Sequence, residues 1–135
     1  MKIPRSLLRQ IHAHLEAGYP REACGVLLGK DRLVTEFVAA GNSQTDSPQN
    51  RYSIDPLFYR QIERDADRRG LALIGICHSH PDAAASPSKF DRDHAWPMLS
   101  YLIVTVRAGQ ACDSRSWLLR EDDSGFTEEQ VDILD

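Results

Sequence analysis

The stretch "GICHSHPDAAASPSKFD", residues 75–91, carries two histidines one residue apart, followed by a serine and an aspartate. The run that leads into it, "LALIGICHSH", is typical of a β-strand buried on both faces. Because successive side chains of a strand point to opposite faces, His78 and His80 should point to the same face. The pattern therefore predicts that two imidazoles converge at the end of a buried strand.

Two convergent imidazoles can supply two of the ligands of a zinc site. A catalytic zinc typically takes three protein ligands and leaves a fourth position for water, whose pKa falls to about 7. Asp91 follows His80 by eleven residues, across a loop long enough to fold back, and is the best candidate for the third ligand. Asp82 and Asp93 are weaker alternatives. Such a site could hydrolyse an amide.

Amide hydrolysis also needs a general base and a donor for the carbonyl oxygen. Ser88 is near enough in sequence to be the donor, and Glu22 in "YPREACGVLLG" lies just before a predicted buried strand, which suits a base. Plainer interpretations exist for both residues. Ser88 with Asp91 is also a helix N-cap pattern, and an acid such as Glu22 is more often a solvated surface residue.

The rest of the chain predicts strands interleaved with helices. A helix is expected from about Pro4 to Ala17, and a second follows Asp55, which can cap it, with Pro56 at its first position. A polar loop is expected over residues 41–50. Strands are expected at "ACGVLLG" and "RLVTEFVAA", which form a hairpin, and at "RYSI", "LALIGICHSH", "SYLIVTV" and "SRSWLLRE", the last an edge strand or hairpin partner. The tail "FTEEQVDIL" could be a strand or a short helix. This order predicts a mixed α/β layer structure.

Composition limits the classes of function. The chain has 135 residues, 41% of them hydrophobic, and a formal net charge of -4, which predicts one compact domain over residues 1–135. The charge balance does not suggest nucleic-acid binding, and no apolar run approaches a membrane span. Three cysteines without paired short spacing argue against a disulfide framework, and no signal peptide is evident, so we expect a cytoplasmic protein.

The residues also match a known pattern: a glutamate, then H-x-H, seven residues, and S-x-x-D. His78-Ser79-His80, residues 81–87 and Ser88-Lys89-Phe90-Asp91 resemble the JAMM (MPN-plus) zinc metallopeptidase motif without a gap. The upstream "PREACGVLLG" resembles the glutamate-bearing first strand of that family. The resemblance extends to the order of elements along nearly the whole chain.

The resemblance implies a fold like that of cytidine deaminases, a curved and mostly antiparallel sheet flanked by helices. It implies one Zn²⁺ per chain bound by His78, His80 and Asp91, with Glu22 as general base and Ser88 as oxyanion stabiliser. Family members cut amide or isopeptide bonds at the C-terminus of ubiquitin-like proteins. This chain is most similar to bacterial members that act on the Gly-Gly end of small ubiquitin-like sulfur carriers. A Gly-Gly tail could add to a strand edge in a narrow groove, and we expect the loop 41–50, with Asn42 and Arg51 at its borders, to lie along that groove.

Other functions stay open from the sequence. Cys24 lies close to Glu22 and could be a nucleophile, although a small buried hydrophobe is its more usual role. A deaminase fits the implied fold, but its H-x-E and P-C-x-x-C signature is absent. His94 could contact a ligand if its segment is helical. A non-catalytic MPN-type module that binds a ubiquitin-like partner is the alternative from another class, and it would not need Glu22.

Overall fold

The computed structural model describes residues 1–122 and 124–135, and in these residues an eight-stranded mixed sheet is flanked by helices. The strands are β1 (Lys2–Pro4), β2 (Cys24–Lys30), β3 (Leu33–Ala40), β4 (Ala72–Pro81), β5 (Ser100–Arg107), β6 (Gln110–Leu119), β7 (Phe126–Glu129) and β8 (Asp132–Leu134). The helices are α1 (Arg5–Gly18), α2 (Pro56–Arg68) and α3 (Lys89–His94). The strand order is β7-β6-β5-β4-β2-β3-β1-β8, and four of the seven neighbouring pairs are antiparallel. The predicted α/β class with a mostly antiparallel sheet is confirmed.

The two longer helices pack on opposite faces of the sheet because the central strands alternate between two apolar clusters. Leu27 of β2 belongs to the cluster that contains the apolar face of α1. Its neighbours Val26 and Leu28 belong to the cluster that contains Ile62 and Ala66 of α2. Burying both faces of β2 and β4 explains why these strands read as nearly continuous apolar runs. Neither these helices nor α3 is long and apolar enough to cross a membrane.

Local signals account for the predicted hairpin and helix start. The Asp55 carboxylate accepts a hydrogen bond from the Leu57 amide at 3.0 Å, and Pro56 occupies the first helical position of α2. β2 and β3 pair in antiparallel register, joined by a tight turn in which Asp31 and Arg32 have φ values of 52° and 66°. Both predictions are confirmed.

One predicted strand is wrong, and two segments whose structure was left open are now resolved. "RYSI" is not a strand, because its groups bond locally: Ser53 donates its amide to the Asn42 side chain at 3.1 Å and accepts from the Ser43 amide at 2.9 Å. "SRSWLLRE", residues 114–121, contributes its first six residues to β6, which pairs with β5 on one side and β7 on the other, so the hairpin-partner alternative is confirmed. The tail forms β7 and β8, and β1, which the sequence analysis missed, pairs with β8.

Candidate active site

The register of β2 and β4 places Glu22 beside the two histidines. Cys24 pairs with His78 across the two strands. Ser79, whose side chain points away from the histidine face, accepts a hydrogen bond from the Ala23 amide at 2.9 Å and donates its own amide to the Ala23 carbonyl at 3.0 Å. These bonds fix the residue next to Glu22 against the strand that carries His78 and His80.

The loop 41–50 holds the backbone of Glu22 from its other side. The Glu22 amide donates to the Pro48 carbonyl at 2.8 Å, and the Asn42 side chain donates to the Glu22 carbonyl at 3.0 Å. With both backbone groups bonded, only the Glu22 side chain is free to reorient. That side chain is buried, since the residue is 5% exposed.

Helix α3 delivers Asp91 through its N-terminal cap. The Ser88 hydroxyl accepts from the Asp91 amide at 3.0 Å, and the Asp91 Oδ2 accepts from the Ser88 amide at 3.0 Å. This is the capping box that the S-x-x-D pattern predicts, and it is confirmed. The hydroxyl hydrogen of Ser88 donates to no other group in residues 1–122 and 124–135, so it remains available to a ligand.

Three ligand atoms converge with the spacing of a zinc site. His78 Nε2 lies 3.2 Å from His80 Nε2 and 3.3 Å from Asp91 Oδ2, and His80 Nε2 lies 3.0 Å from Asp91 Oδ2. Around a tetrahedral zinc with bonds of about 2.0–2.2 Å, ligand atoms lie about 3.3–3.6 Å apart. All three residues are buried. The donor set therefore fits Zn²⁺ in chemistry, and its distances of 3.0–3.3 Å lie at or just below the spacing of a tetrahedral site.

The proton positions in this cluster call for a positive charge. His80 Nδ1 lies 2.8 Å from the Ala84 carbonyl, which can only accept, so Nδ1 carries the hydrogen. A neutral imidazole then has a bare Nε2, and here it faces the Asp91 carboxylate with no hydrogen between them. Either a second proton on His80 or a cation resolves this repulsion. A carbonyl that holds the outer nitrogen is also the usual arrangement for a metal-binding histidine.

The pKa values of the three residues reflect the same charge balance. Burial lowers the pKa of His78, and the Asp91 charge only partly opposes it. Burial also acts to lower the pKa of His80, but the hydrogen bond and charge of Asp91 outweigh it, so that pKa is raised. Burial would raise the pKa of Asp91, yet both histidines hold it well below its ordinary value. Asp91 is thus an anion that needs a positive partner.

Glu22 has the properties of a base. Burial, with a smaller contribution from the Asp91 charge and against the opposing charge of His80, raises the pKa of Glu22 to about 8. Its Oε1 is buried without a hydrogen-bond partner in the described part of the chain. Its carboxylate lies within 4.8 Å of the ligand atoms of His78 and His80, a reach that admits a bridging water. The tighter spacing of Asp91 makes Asp91 the better third ligand and leaves Glu22 for the water.

Two cavities flank this cluster. One, of about 810 Å³, is bordered by Asp91 and by aromatic side chains that include Tyr52 and Phe90. The other, of about 870 Å³, is bordered by Glu22 and Arg21. The loop 41–50 runs between them, since its Gln44 borders both. Substrate could therefore approach from two sides.

Tyr52 is a site residue that the sequence analysis missed. Its ring stacks on the His78 ring with centroids 4.3 Å apart and an angle of 22° between the planes. It lies outside the motif, in the segment expected to be a strand, and only its closeness in sequence to the loop 41–50 could have drawn attention to it.

Asn42 and Arg51, the residues predicted to bind substrate, differ in how far their side chains are already engaged in hydrogen bonds. Asn42 donates to the carbonyls of Glu22 and Arg51 and accepts from the amides of Gln44 and Ser53, so a contact with substrate would require one of these bonds to break. Arg51 bonds to Asp46 at 3.2 Å, and its guanidinium lies 5.3 Å from the centroid of the Phe90 ring. Arg51 thus stands beside the 810 Å³ cavity, and its role there stays a prediction.

The alternative ligands lie apart from the cluster. Asp82 accepts from the Tyr19 hydroxyl at 2.6 Å and the Ala108 amide at 2.8 Å. Asp93 is exposed and pairs with Lys89 at 3.5 Å. His94 is exposed, bonds to the Phe90 carbonyl at 2.9 Å, and borders the 810 Å³ cavity.

A cysteine nucleophile does not fit the structure. Cys24 is fully buried, and burial, with a smaller contribution from the Glu22 charge, raises the pKa of its thiol to about 12. The thiolate is the reactive form of cysteine. Cys24 is therefore a packing residue of the hydrophobic core, as expected for a small buried side chain.

Comparisons with known proteins agree with this geometry. Residues 4–120 match the family model described as prokaryotic homologs of the JAB domain. A probable TtuB-protein conjugate cleaving protease of Thermus thermophilus is 36% identical over 101 residues, which cover 75% of this chain and 67% of that protein. The CysO-cysteine peptidase of Mycobacterium tuberculosis is 28% identical over 98% of this chain and 90% of its own length.

Solved structures share the fold. The solution structure of protein DSY2949 from Desulfitobacterium hafniense has a TM-score of 0.85 at 30% identity and covers 99% of this chain and 92% of its own. A structure described as a JAMM metalloprotease-like zinc site in the proteasome and signalosome has a TM-score of 0.62 at 18% identity, over 100% of this chain and 98% of its own.

Proposed function

Because the chain belongs to the family of prokaryotic homologs of the JAB domain, we propose that it is a zinc-dependent peptidase of ubiquitin-like sulfur carriers. It would hydrolyse amide or isopeptide bonds at the Gly-Gly C-terminus of the carrier. The family match confirms the predicted resemblance and the predicted enzyme class, a JAMM-type peptidase. The observation that carries the proposal is the convergence of His78, His80 and Asp91 at 3.0–3.3 Å with the Glu22 carboxylate within reach.

His78, His80 and Asp91 would hold one zinc ion per chain. Bound there, zinc would supply a positive charge that acidifies a water and polarises the scissile carbonyl. The contact between His80 Nε2 and Asp91 Oδ2 supports this assignment, because it requires a positive charge that a bound cation supplies as well as a second proton does. Two neutral imidazoles and one carboxylate are also a usual ligand set for catalytic zinc.

Glu22 would act as the general base and Ser88 as the oxyanion donor. Glu22 takes a proton from the attacking water as the water oxygen bonds to the carbonyl carbon, and passes that proton to the amine as the carbon–nitrogen bond breaks. Its buried Oε1 has no hydrogen-bond partner in the described residues, so it can accept that proton and release it again. The free hydroxyl hydrogen of Ser88 would bond to the carbonyl oxygen as negative charge develops there.

The substrate class rests on the names of the relatives and on the shape of the site. One relative is named for cleaving TtuB conjugates and another for acting on CysO-cysteine. A glycine tail has no side chains, so it can lie extended in a narrow passage and bond through its backbone. We assign the tail to the 810 Å³ cavity, with Arg51 beside it and Asn42 bracing the loop.

The test uses a purified ubiquitin-like carrier extended by one residue beyond its C-terminal Gly-Gly. We expect mass spectrometry to show release of that residue, loss of release with a chelator and recovery with zinc. Glu22→Gln should keep its zinc and lose turnover, whereas Glu121→Gln, which alters an exposed acid outside both cavities, should behave as wild type. A Glu22→Gln variant with unchanged turnover would contradict the base assignment. Tight carrier binding without cleavage would instead indicate a binding module.

A further inference from the structure

We propose that the 870 Å³ cavity beside Glu22 receives the leaving group, and that Arg21 binds the free α-carboxylate of an amino acid released from the carrier tail. The inference rests on the proposed function and narrows it. It makes the preferred substrate a carrier with an amino acid at its C-terminus, in place of a carrier joined to a lysine side chain of another protein.

The positions of the base and the oxyanion donor decide which side the leaving group takes. The base returns its proton to the leaving amine, so that nitrogen must come within hydrogen-bond reach of the Glu22 carboxylate. The carbonyl oxygen must face Ser88, which lies next to α3 on the Asp91 side. With the acyl chain in the cavity bordered by Asp91, as assigned above, the amine enters the cavity bordered by Glu22.

Arg21 brings a positive charge to that cavity that the rest of the described chain leaves unused. Its guanidinium makes no ion pair and donates no hydrogen bond within residues 1–122 and 124–135. The other basic group of the cavity, His14, has its Nε2 2.8 Å from the Cys24 carbonyl. A guanidinium can bond a carboxylate through two parallel hydrogen bonds. Volume alone would admit many leaving groups, so this charge is what discriminates between them.

The backbone keeps Arg21 at a fixed place next to the base. The Arg21 amide donates to the Gly18 carbonyl at 3.0 Å, and the next amide, that of Glu22, donates to the Pro48 carbonyl at 2.8 Å. In an α-amino acid the carboxylate is two bonds from the leaving nitrogen. In a lysine isopeptide the leaving nitrogen is at the end of the side chain, and the α-carbonyl belongs to a neutral peptide bond. Only the first presents an anion next to the leaving nitrogen, in the cavity that Arg21 borders.

Binding to the inactive Glu22→Gln variant tests the inference without turnover. The probes are a fluorescent peptide that ends in Gly-Gly-Ala with a free carboxylate and the same peptide with a C-terminal amide. We expect the carboxylate peptide to bind roughly 3- to 10-fold more tightly by fluorescence anisotropy, a modest preference because Arg21 is exposed. Adding Arg21→Gln should remove the preference and leave the affinity for the amide unchanged. Arg21→Lys should keep part of it, and Arg64→Gln, an exposed arginine of α2 outside both cavities, should keep all of it.

The outcomes separate this inference from the proposed function. Equal affinity for the two peptides, no binding of either, or a preference that survives Arg21→Gln would overturn the role of Arg21. The wild-type enzyme with zinc is then assayed on the carboxylate peptide and on a Gly-Gly–lysine isopeptide. Cleavage of neither would count against the proposed function, whereas cleavage of both at a ratio that Arg21→Gln does not change would count against this inference alone.

Discussion

Replacing Glu22 by glutamine should change the pH dependence of stability as well as the activity. The carboxylate is buried, and one of its oxygens has no partner in the described residues. Ionisation of this group is therefore unfavourable in the folded, metal-free protein and unhindered in the unfolded chain. Glutamine has nearly the same shape and does not ionise. The variant therefore removes this penalty at every pH at which the carboxyl of the unfolded wild-type chain is charged.

The magnitude follows from the pKa of Glu22, which burial raises from 4.5 to about 8. Between those pH values the folded wild-type protein binds more protons than the unfolded chain, so its stability falls as the pH rises. At about 1.4 kcal/mol per pH unit, the free energy of unfolding of Glu22→Gln should gain about 3 kcal/mol on the wild type between pH 4.5 and 7. The unpaired amide hydrogens of glutamine add a cost that does not depend on pH.

The assay is urea unfolding of both metal-free proteins at half-unit steps from pH 4.5 to 8. The informative quantity is the difference in unfolding free energy between the variant and the wild type, because titrations common to both largely cancel. We expect this difference to rise with pH throughout this range, and more slowly as the pH nears 8, where half of the folded wild-type carboxyl is ionised. A difference that stays flat across the range would refute the claim that a buried, destabilised carboxylate lies at this position.

Further predictions concern the cap, the metal and the thiols. Ser88→Ala should lower kcat by a factor of about 10²–10³ through loss of the oxyanion donor, and should lower the free energy of unfolding by about 0.5–2 kcal/mol through loss of the cap. Ser88→Thr keeps the hydroxyl and should retain much of both. An unchanged kcat in Ser88→Ala would show that Ser88 takes no part in the reaction. Zinc at about 1,000 times its Kd should raise the free energy of unfolding by about 4 kcal/mol over the chelated protein, measured by urea unfolding, and equal stability would argue against a site in the folded state. An alkylating reagent should modify the exposed Cys112, spare the buried Cys24 and Cys77, and leave activity intact; loss of activity at one thiol equivalent would revive the cysteine mechanism.

The fold was predictable where a local pattern had one dominant cause. Asp55 and Pro56 marked the start of α2 because a cap and a fixed φ act on the nearest turn. The β2–β3 hairpin followed from two apolar runs joined by a short polar turn. The strand predicted at "RYSI" was wrong because a composition typical of strands does not show whether a neighbouring strand is available for pairing. Its amide and carbonyl groups bond instead to Asn42 and Ser43, which only the folded loop brings near.

The site was predictable to the extent that strand alternation and capping act locally. Alternation put His78 and His80 on one face, and the capping box tied Asp91 to Ser88. The position of Glu22 depends on strand register and on the Ser79–Ala23 bonds, so its place before a predicted strand made it only a candidate, which the family resemblance then supported. The stacking of Tyr52 on His78 had no sequence signal, because a ring in an irregular segment has no periodicity that fixes its direction.

The measurement that bears most directly on the proposed peptidase is the zinc content of purified protein by elemental analysis. The wild type and the control His94→Ala, which alters an exposed histidine outside the cluster, should each contain about one zinc per chain. A protein with both His78→Ala and His80→Ala should contain almost none while circular dichroism shows a folded chain. Zinc retained at full stoichiometry in the folded double variant would contradict the assignment of the metal centre and, with it, the proposed chemistry.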